Sequence, residues 1–332
     1  YNQVTIDNGP KASTTIEEPY LEERRKNGFI WSGIYNSRSG INNLNQFIQA
    51  EKITKDTNPT YGSIQKLHAR DSDLVAFCED RVLKVLANKD ALYNADGNTN
   101  LIATDRVLGA IKPFIGDFGI SLNPESFASD SYRSYFTDTS RGAVLRLSQD
   151  GITPISDAGM HDFFADEFAD QNGFARIIGS FDDNKGEYNI SWRTDAGYAH
   201  PMRDTTVSYS EKSKGWVSFK SWLQENGVSL NNSYYTFNFG RMYKHHVNET
   251  RNEFYETQFD SSVDILFNQG PGVIKSFSTL NYEGSQSRIT PEINDNPDYY
   301  DNFSKDGWYV SEMLSNAQEL GEMEFWDKED KI

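Results

Sequence analysis

The sequence has a single cysteine, Cys78, among 332 residues. No disulfide can therefore close within the chain, and the fold needs no oxidising compartment. No apolar run approaches the roughly 18 residues of a membrane-spanning helix. Histidines are few: His68, His161, His200 and the adjacent pair His245-His246. Neighbouring positions on a strand point to opposite faces, so the pair is poorly placed to chelate one metal. HExxH, CxxC and a strand-borne GxSxG elbow are all missing, and with them the commonest zinc and nucleophile signatures. Positive charge is also scarce, 32 Lys and Arg against 49 Asp and Glu, for a formal net charge of −17. A phosphate backbone is gripped by a clustered cationic face, so this balance argues against nucleic acid as a partner. The chain opens Tyr1-Asn2-Gln3, without initiator Met or signal peptide, which fits a processed product or a piece of a longer polypeptide.

Aromatic residues are abundant. Only 37% of the chain is hydrophobic, but 14% is aromatic, with 21 Phe and 18 Tyr. That weight can fill the core of a large domain made of small sheets, and it argues against disorder. The organising stretch runs from Ile115 to Met160. Ser134 to Asp138 and Gly142 to Leu147 read as two strands on either side of a polar turn, and Ser148-Gln149-Asp150-Gly151 supplies the next turn before Ile152 to Ile155. An earlier stretch has the same texture: LVAFCEDRVLKVL from Leu74 matches SYFTDTSRGAVLRL from Ser134, with Phe77 and Phe136 before the turn and Arg81 and Arg141 after it. Weaker echoes at Tyr188 and Phe237 give a spacing of roughly 50 residues, near the period of β-propeller blades. The expected fold is all-β, a propeller-like array of antiparallel sheets with one or two short helices; a multi-sheet β-sandwich fits the same pattern. Met160, Phe163, Phe164 and Phe168 form a helical stripe within 157–170 that reads as packing, and Trp308 to Leu320 is ambiguous between strand and helix. Residues 1–28, with a charged run from Glu17 to Lys26, form an extension or docking arm; 29–332 form the propeller-like domain.

Local motifs give little chemistry. Asp117-Phe118-Gly119 resembles a kinase magnesium motif, but no glycine-rich loop or catalytic loop accompanies it. Ser148 to Thr153 approaches the Asp-box turn of sialidase-like propellers, which is itself structural. Asp182-Asp183-Asn184-Lys185-Gly186-Glu187 gathers oxygen ligands of the kind calcium prefers, but lacks the loop spacing and reads as a solvated hairpin turn. The many carboxylates select no facing pair of the sort a glycosidase needs. The chain is accordingly expected not to be an enzyme and to need no cofactor or metal.

Several stretches together carry a family resemblance: Gly119 to Ala128, Tyr135 to Asp138 with Arg141 to Ser148, Trp216 to Trp222, Tyr235 to Asn238 with Gly240, and Lys275 to Gly284. Across roughly 29–332 the chain resembles virion structural proteins of large tailed bacteriophages, the tail, neck or baseplate-region proteins whose propeller-like domains act as stabilising or docking modules. The resemblance implies a non-enzymatic component located in the virion and assembled in the host cytoplasm, in contact with other virion proteins and present in several copies around a symmetry axis. Tyr299, Tyr300, Trp308 and Trp326 are the candidate interaction anchors. Two alternatives remain: a tail adhesin that binds a host-surface glycan, and a carbohydrate-active enzyme on the same scaffold.

Overall fold

The computed structural model describes residues 24–48, 50, 52–70, 73–93, 99–169, 176–193, 204–267, 269–270 and 272–273. By internal contacts the chain separates into Tyr1–Ser261 and Ser262–Ile332. The described residues of the second unit carry no strand or helix, and everything below concerns the first.

The chain opens with β1 (Gly28–Ile30), β2 (Tyr35–Asn36), β3 (Ile41–Asn42) and β4 (Thr54–Asp56). β1 pairs with β4, and between them β2 and β3 form a small hairpin. Four antiparallel meanders follow in order. The first holds β5 (Ile64–Arg70), β6 (Asp73–Cys78), β7 (Val82–Tyr93) and β8 (Thr99–Pro113); the second, β9 (Ala128–Ser129), β10 (Ser134–Asp138), β11 (Ala143–Ser148) and β12 (Gly151–Pro154). After α1 (His161–Ala169) comes a third, with β13 (Arg176–Asp182), β14 (Glu187–Arg193), β15 (Thr205–Ser210) and β16 (Gly215–Lys220). The fourth has three strands, β17 (Asn226–Leu230), β18 (Ser233–Asn238) and β19 (Arg241–Lys244), and a short hairpin of β20 (Glu253–Phe254) and β21 (Thr257–Gln258) follows it. The expected all-β class of several antiparallel sheets is observed, with one α-helix among the described residues.

Period-two alternation explains how the sheets stack. On β6, Val75 and Phe77 enter one apolar cluster while Ala76 and Cys78 enter another on the opposite face. The first of these clusters joins the first two sheets through Phe136, Leu145 and Leu147; the second is covered by Phe29, Trp31 and Tyr61. β10 divides in the same way: Phe136 turns back to the first sheet and Tyr135 turns forward to the third, where it stacks on Tyr188 with ring centroids 4.9 Å apart. Phe77 and Phe136, the residues paired in the repeat, touch edge to face at 5.0 Å. Their turn arginines are also used in these contacts: Arg141 reaches Asp80 at 3.4 Å and Arg81 reaches Asp117 at 2.8 Å.

The helix starts at His161, later than the apolar stripe suggests, because Gly159 at φ 86° turns the chain first. Its Phe164 and Phe168 are buried against Trp192, and Met160 and Phe163 pack on the same cluster. The stripe is packing, as expected. Beyond Trp192 the third sheet changes character. Its other face presents Asn189, Ser191, Thr206 and Ser208, all buried, to the fourth sheet. Here Gln224 donates to the carbonyls of Ile178 (3.1 Å) and Asn189 (3.3 Å), while its own Oε1 accepts from Ser180 Oγ at 2.6 Å. This junction is thus joined largely by hydrogen bonds between buried polar side chains.

Candidate functional site

The first strands of the four sheets, β5, β9, β13 and β17, converge on one cleft of about 600 Å³. Lys66 lies over the ring of Phe127 at 5.4 Å, and His68 packs on the same ring at 5.0 Å. Burial, with Lys66 and Arg70 nearby, holds His68 below the ordinary histidine range. Glu125, Asp183, Glu225 and Asn226 add polar groups to the walls. Close packing sets the shape: a Cβ on Gly179 would sit 1.9 Å from the Ser126 carbonyl oxygen, so only glycine lets β13 approach there.

The conspicuous polar groups elsewhere are engaged in structural bonds. The Asp138 carboxylate, fully buried, accepts from Gly119 N (3.0 Å), Ser121 Oγ (2.9 Å) and Arg141 (2.8 Å). Gly119, the last residue of the Asp-Phe-Gly triplet, lies so close to the Glu79 backbone that a side chain would collide with it. The triplet is a packed turn. Asp182 caps its own hairpin, accepting from Asn184 N and Lys185 N, and pairs with His246 Nε2 at 2.7 Å. The expected solvated turn is therefore also a tie to the fourth sheet. His245 bonds Thr236 Oγ1 at 2.6 Å, and burial, reinforced by His246, lowers its pKa to about 4. The two imidazoles take different partners. Glu211 receives Tyr135 Oη (2.8 Å) and Arg146 (2.9 Å). Among the described residues no group of three or more His, Cys, Asp or Glu is placed to hold a metal ion, and no helix is long and apolar enough to cross a membrane.

What remains unsatisfied is apolar surface. In the arm between β1 and β4, Ile34, Tyr35, Ile41, Leu44, Phe47 and Ile48 are each about half exposed. The arm is nonetheless ordered by its backbone: Asn43 N donates to Ile34 O, Gly33 N to Gln46 O, and Asn36 Oδ1 accepts from Arg38 N across the β2–β3 turn. An isolated two-stranded hairpin is marginal in water, and the described residues leave Tyr35 and Ile41 on its strands about half exposed. The second such surface is the outward face of the fourth sheet. Strand register puts Val228, Leu230, Tyr235, Phe237 and Met242 on one face, with Val228 40%, Leu230 59% and Met242 62% exposed.

Residues 249–330 match the family model described as Crassvirus muzzle protein C-terminal domain. This similarity supports a phage virion structural protein. No curated protein matches the chain. The match lies C-terminal to the four sheets and takes in Tyr299, Tyr300, Trp308 and Trp326. Those four anchors, His200 and the ambiguous segment from Trp308 to Leu320 lie outside the described residues, as do residues 1–23 of the expected arm. The sequence does not single out the half-exposed apolar side chains of the 34–48 segment, which carries the short strands β2 and β3. Their warning signal is SGIYNSRSGINNLNQ itself, in which single apolar residues are separated by Ser, Gly and Asn without sustained alternation.

Proposed function

We propose that this chain is a non-enzymatic structural component of a tailed-phage particle, in its tail, baseplate or neck, that stabilises the assembly through protein–protein contacts. The observation that carries this reading is the match of 249–330 to a muzzle protein C-terminal domain. The sheets support it. Four successive meanders share a cleft at their first strands, as blades share an axis, and a propeller-like body of this kind offers rigid area for neighbours. The carboxylates Asp138, Asp182 and Glu211 are each bound by partners that fix the fold. Sedimentation of particles through a density gradient, followed by quantitative immunoblotting, tests the proposal: the chain should band with the particles in a fixed ratio to the capsid protein. Recovery only in the soluble lysate fraction contradicts it.

A second reading, a glycan-binding adhesin, is favoured by the cleft, where Phe127 and Phe181 stand beside Glu125, Asp183 and Asn226. An aromatic platform ringed by polar groups suits a sugar. Binding to a host-polysaccharide array that is lost in Phe127→Ala would favour the adhesin; an empty array favours the purely structural role.

A further inference from the structure

On a regular strand two adjacent histidines point to opposite faces. His246, just past β19, instead adopts φ 63°, a left-handed conformation that non-glycine residues rarely hold. Both rings come to lie beside Tyr234, His245 at 5.1 Å and His246 at 6.4 Å. Their surroundings differ. His246 Nε2 meets the buried Asp182 carboxylate of the third sheet at 2.7 Å. His245 sits among aromatic rings, with Trp222 at 5.0 Å and, from the β20–β21 hairpin, Tyr255 at 6.1 Å and Phe254 at 6.4 Å. Among the described residues its Nε2 has a hydrogen-bond partner, Thr236 Oγ1 at 2.6 Å, and its Nδ1 has none. Thr236 Oγ1 also meets Tyr255 Oη at 2.7 Å. One small network therefore joins β18, His245 and the hairpin.

A neutral imidazole carries one N–H and an imidazolium two. A proton added to His245 thus creates a donor that finds no acceptor among the described residues, beside a second imidazole 6.1 Å away. The charged groups around it are already engaged. Asp182 accepts from Asn184 N and Lys185 N as well as pairing with His246. Lys220 is held by Glu187 at 2.8 Å and lies over Trp222, and with Lys185 it opposes a further positive charge. Lys244 lies over Tyr235, Glu253 accepts from Asn248, and Glu256 pairs with Arg241. The chain here is also lightly held: none of residues 241–258 is buried, whereas apolar clusters join the first three sheets. Segments with little burial open before the body that carries them. We propose that the two histidines form a proton-operated latch: on acidification the segment 241–258, with β19 and the β20–β21 hairpin, comes away from Trp222 and Asp182 while the first three sheets stay folded. The stretch that matches the muzzle C-terminal domain begins within this segment, at residue 249, so the latch governs how its first residues are held. This inference goes beyond the reading of the chain as an assembly component.

The test is hydrogen–deuterium exchange of the purified full chain, corrected for the intrinsic effect of pH on exchange. Burial, reinforced by His246, lowers His245 from 6.5 to about 4 in the closed state, and the open state binds the proton at the ordinary value. Opening is therefore rare above pH 6.5 and grows as pH falls towards 4. Amides of 241–258 should lose about 30-fold in protection between pH 7.5 and pH 5.0, and regain it on return to pH 7.5. Peptides from β6, β10 and β14 should keep theirs. In His245→Phe, which keeps an aromatic ring among its neighbours, the segment should show the same protection at both pH values. His246→Gln removes the imidazole that helps to keep His245 neutral, so the loss should begin at a higher pH. The wild-type comparison stands even where a variant misfolds. Protection of 241–258 that does not change with pH, loss that strikes all four sheets together, or a full pH response in folded His245→Phe would overturn the proposal. None of these outcomes bears on whether the chain bands with virions, so the two readings fail separately.

Discussion

The carboxyl group of Asp138 has no exposed surface, yet it accepts from a backbone amide, a hydroxyl and a guanidinium. Removing its charge leaves those three donors without their acceptor, so Asp138→Ala should cost about 2–4 kcal/mol in urea unfolding. Asp117→Ala breaks an ion pair of similar length to Arg81, but Asp117 is 83% exposed, and the loss should stay below about 1 kcal/mol. Glycine supplies a second contrast. Gly179→Ala drives a methyl group into the Ser126 carbonyl and should destabilise by about 3 kcal/mol or abolish folding, whereas Gly215→Ala meets nothing nearer than 3.9 Å and should be close to neutral. His245 gives a pH dependence. Its pKa is lowered from 6.5 to about 4, first by burial and then by His246. Between those values the unfolded chain holds the proton and the folded chain does not. Stability should therefore fall as pH drops from 6.5 towards 4, by up to about 1.4 kcal/mol per unit. In His245→Phe this component should disappear from a plot of urea midpoint against pH; an unchanged slope would show that His245 is not its source.

At the scale of elements, the sequence was most legible where alternation was strongest. Phe77 and Phe136 lie on the second strands of the first two sheets, and Tyr188 and Phe237 on those of the next two. The roughly 50-residue spacing between them thus marked equivalent positions of successive meanders. The turns after Asp138, Ser148 and Asp182 were readable because Gly142, Gly151 and Gly186 supply positive φ where those turns require it. The junction between the third and fourth sheets was not readable. Ser180, Asn189, Ser208 and Gln224 resemble surface residues in a sequence, and only long-range pairing reveals that they are buried. The 34–48 segment forms the short strands β2 and β3, but its alternation is too brief to reveal that Ile34, Leu44 and Phe47 are about half exposed. Helix α1 sits where its stripe predicted, as a cover over Trp192. Truncating Phe164, which has no exposed surface, should cost about 3–5 kcal/mol and show in the near-ultraviolet circular dichroism of the aromatic cluster.

Within the first unit, the facing surfaces of successive sheets grade from aliphatic, through aromatic, to polar. A net charge of −17 disfavours attachment to a phosphate backbone. Tyr299, Tyr300, Trp308 and Trp326 lie outside the described residues. The central claim is residence in the virion, and immunogold electron microscopy of intact particles, with an antibody raised against this chain, tests it most directly. Discrete label at one end of the particle, on tail, baseplate or neck, is the predicted result. Particles that remain unlabelled while the infected-cell lysate contains the protein would contradict it.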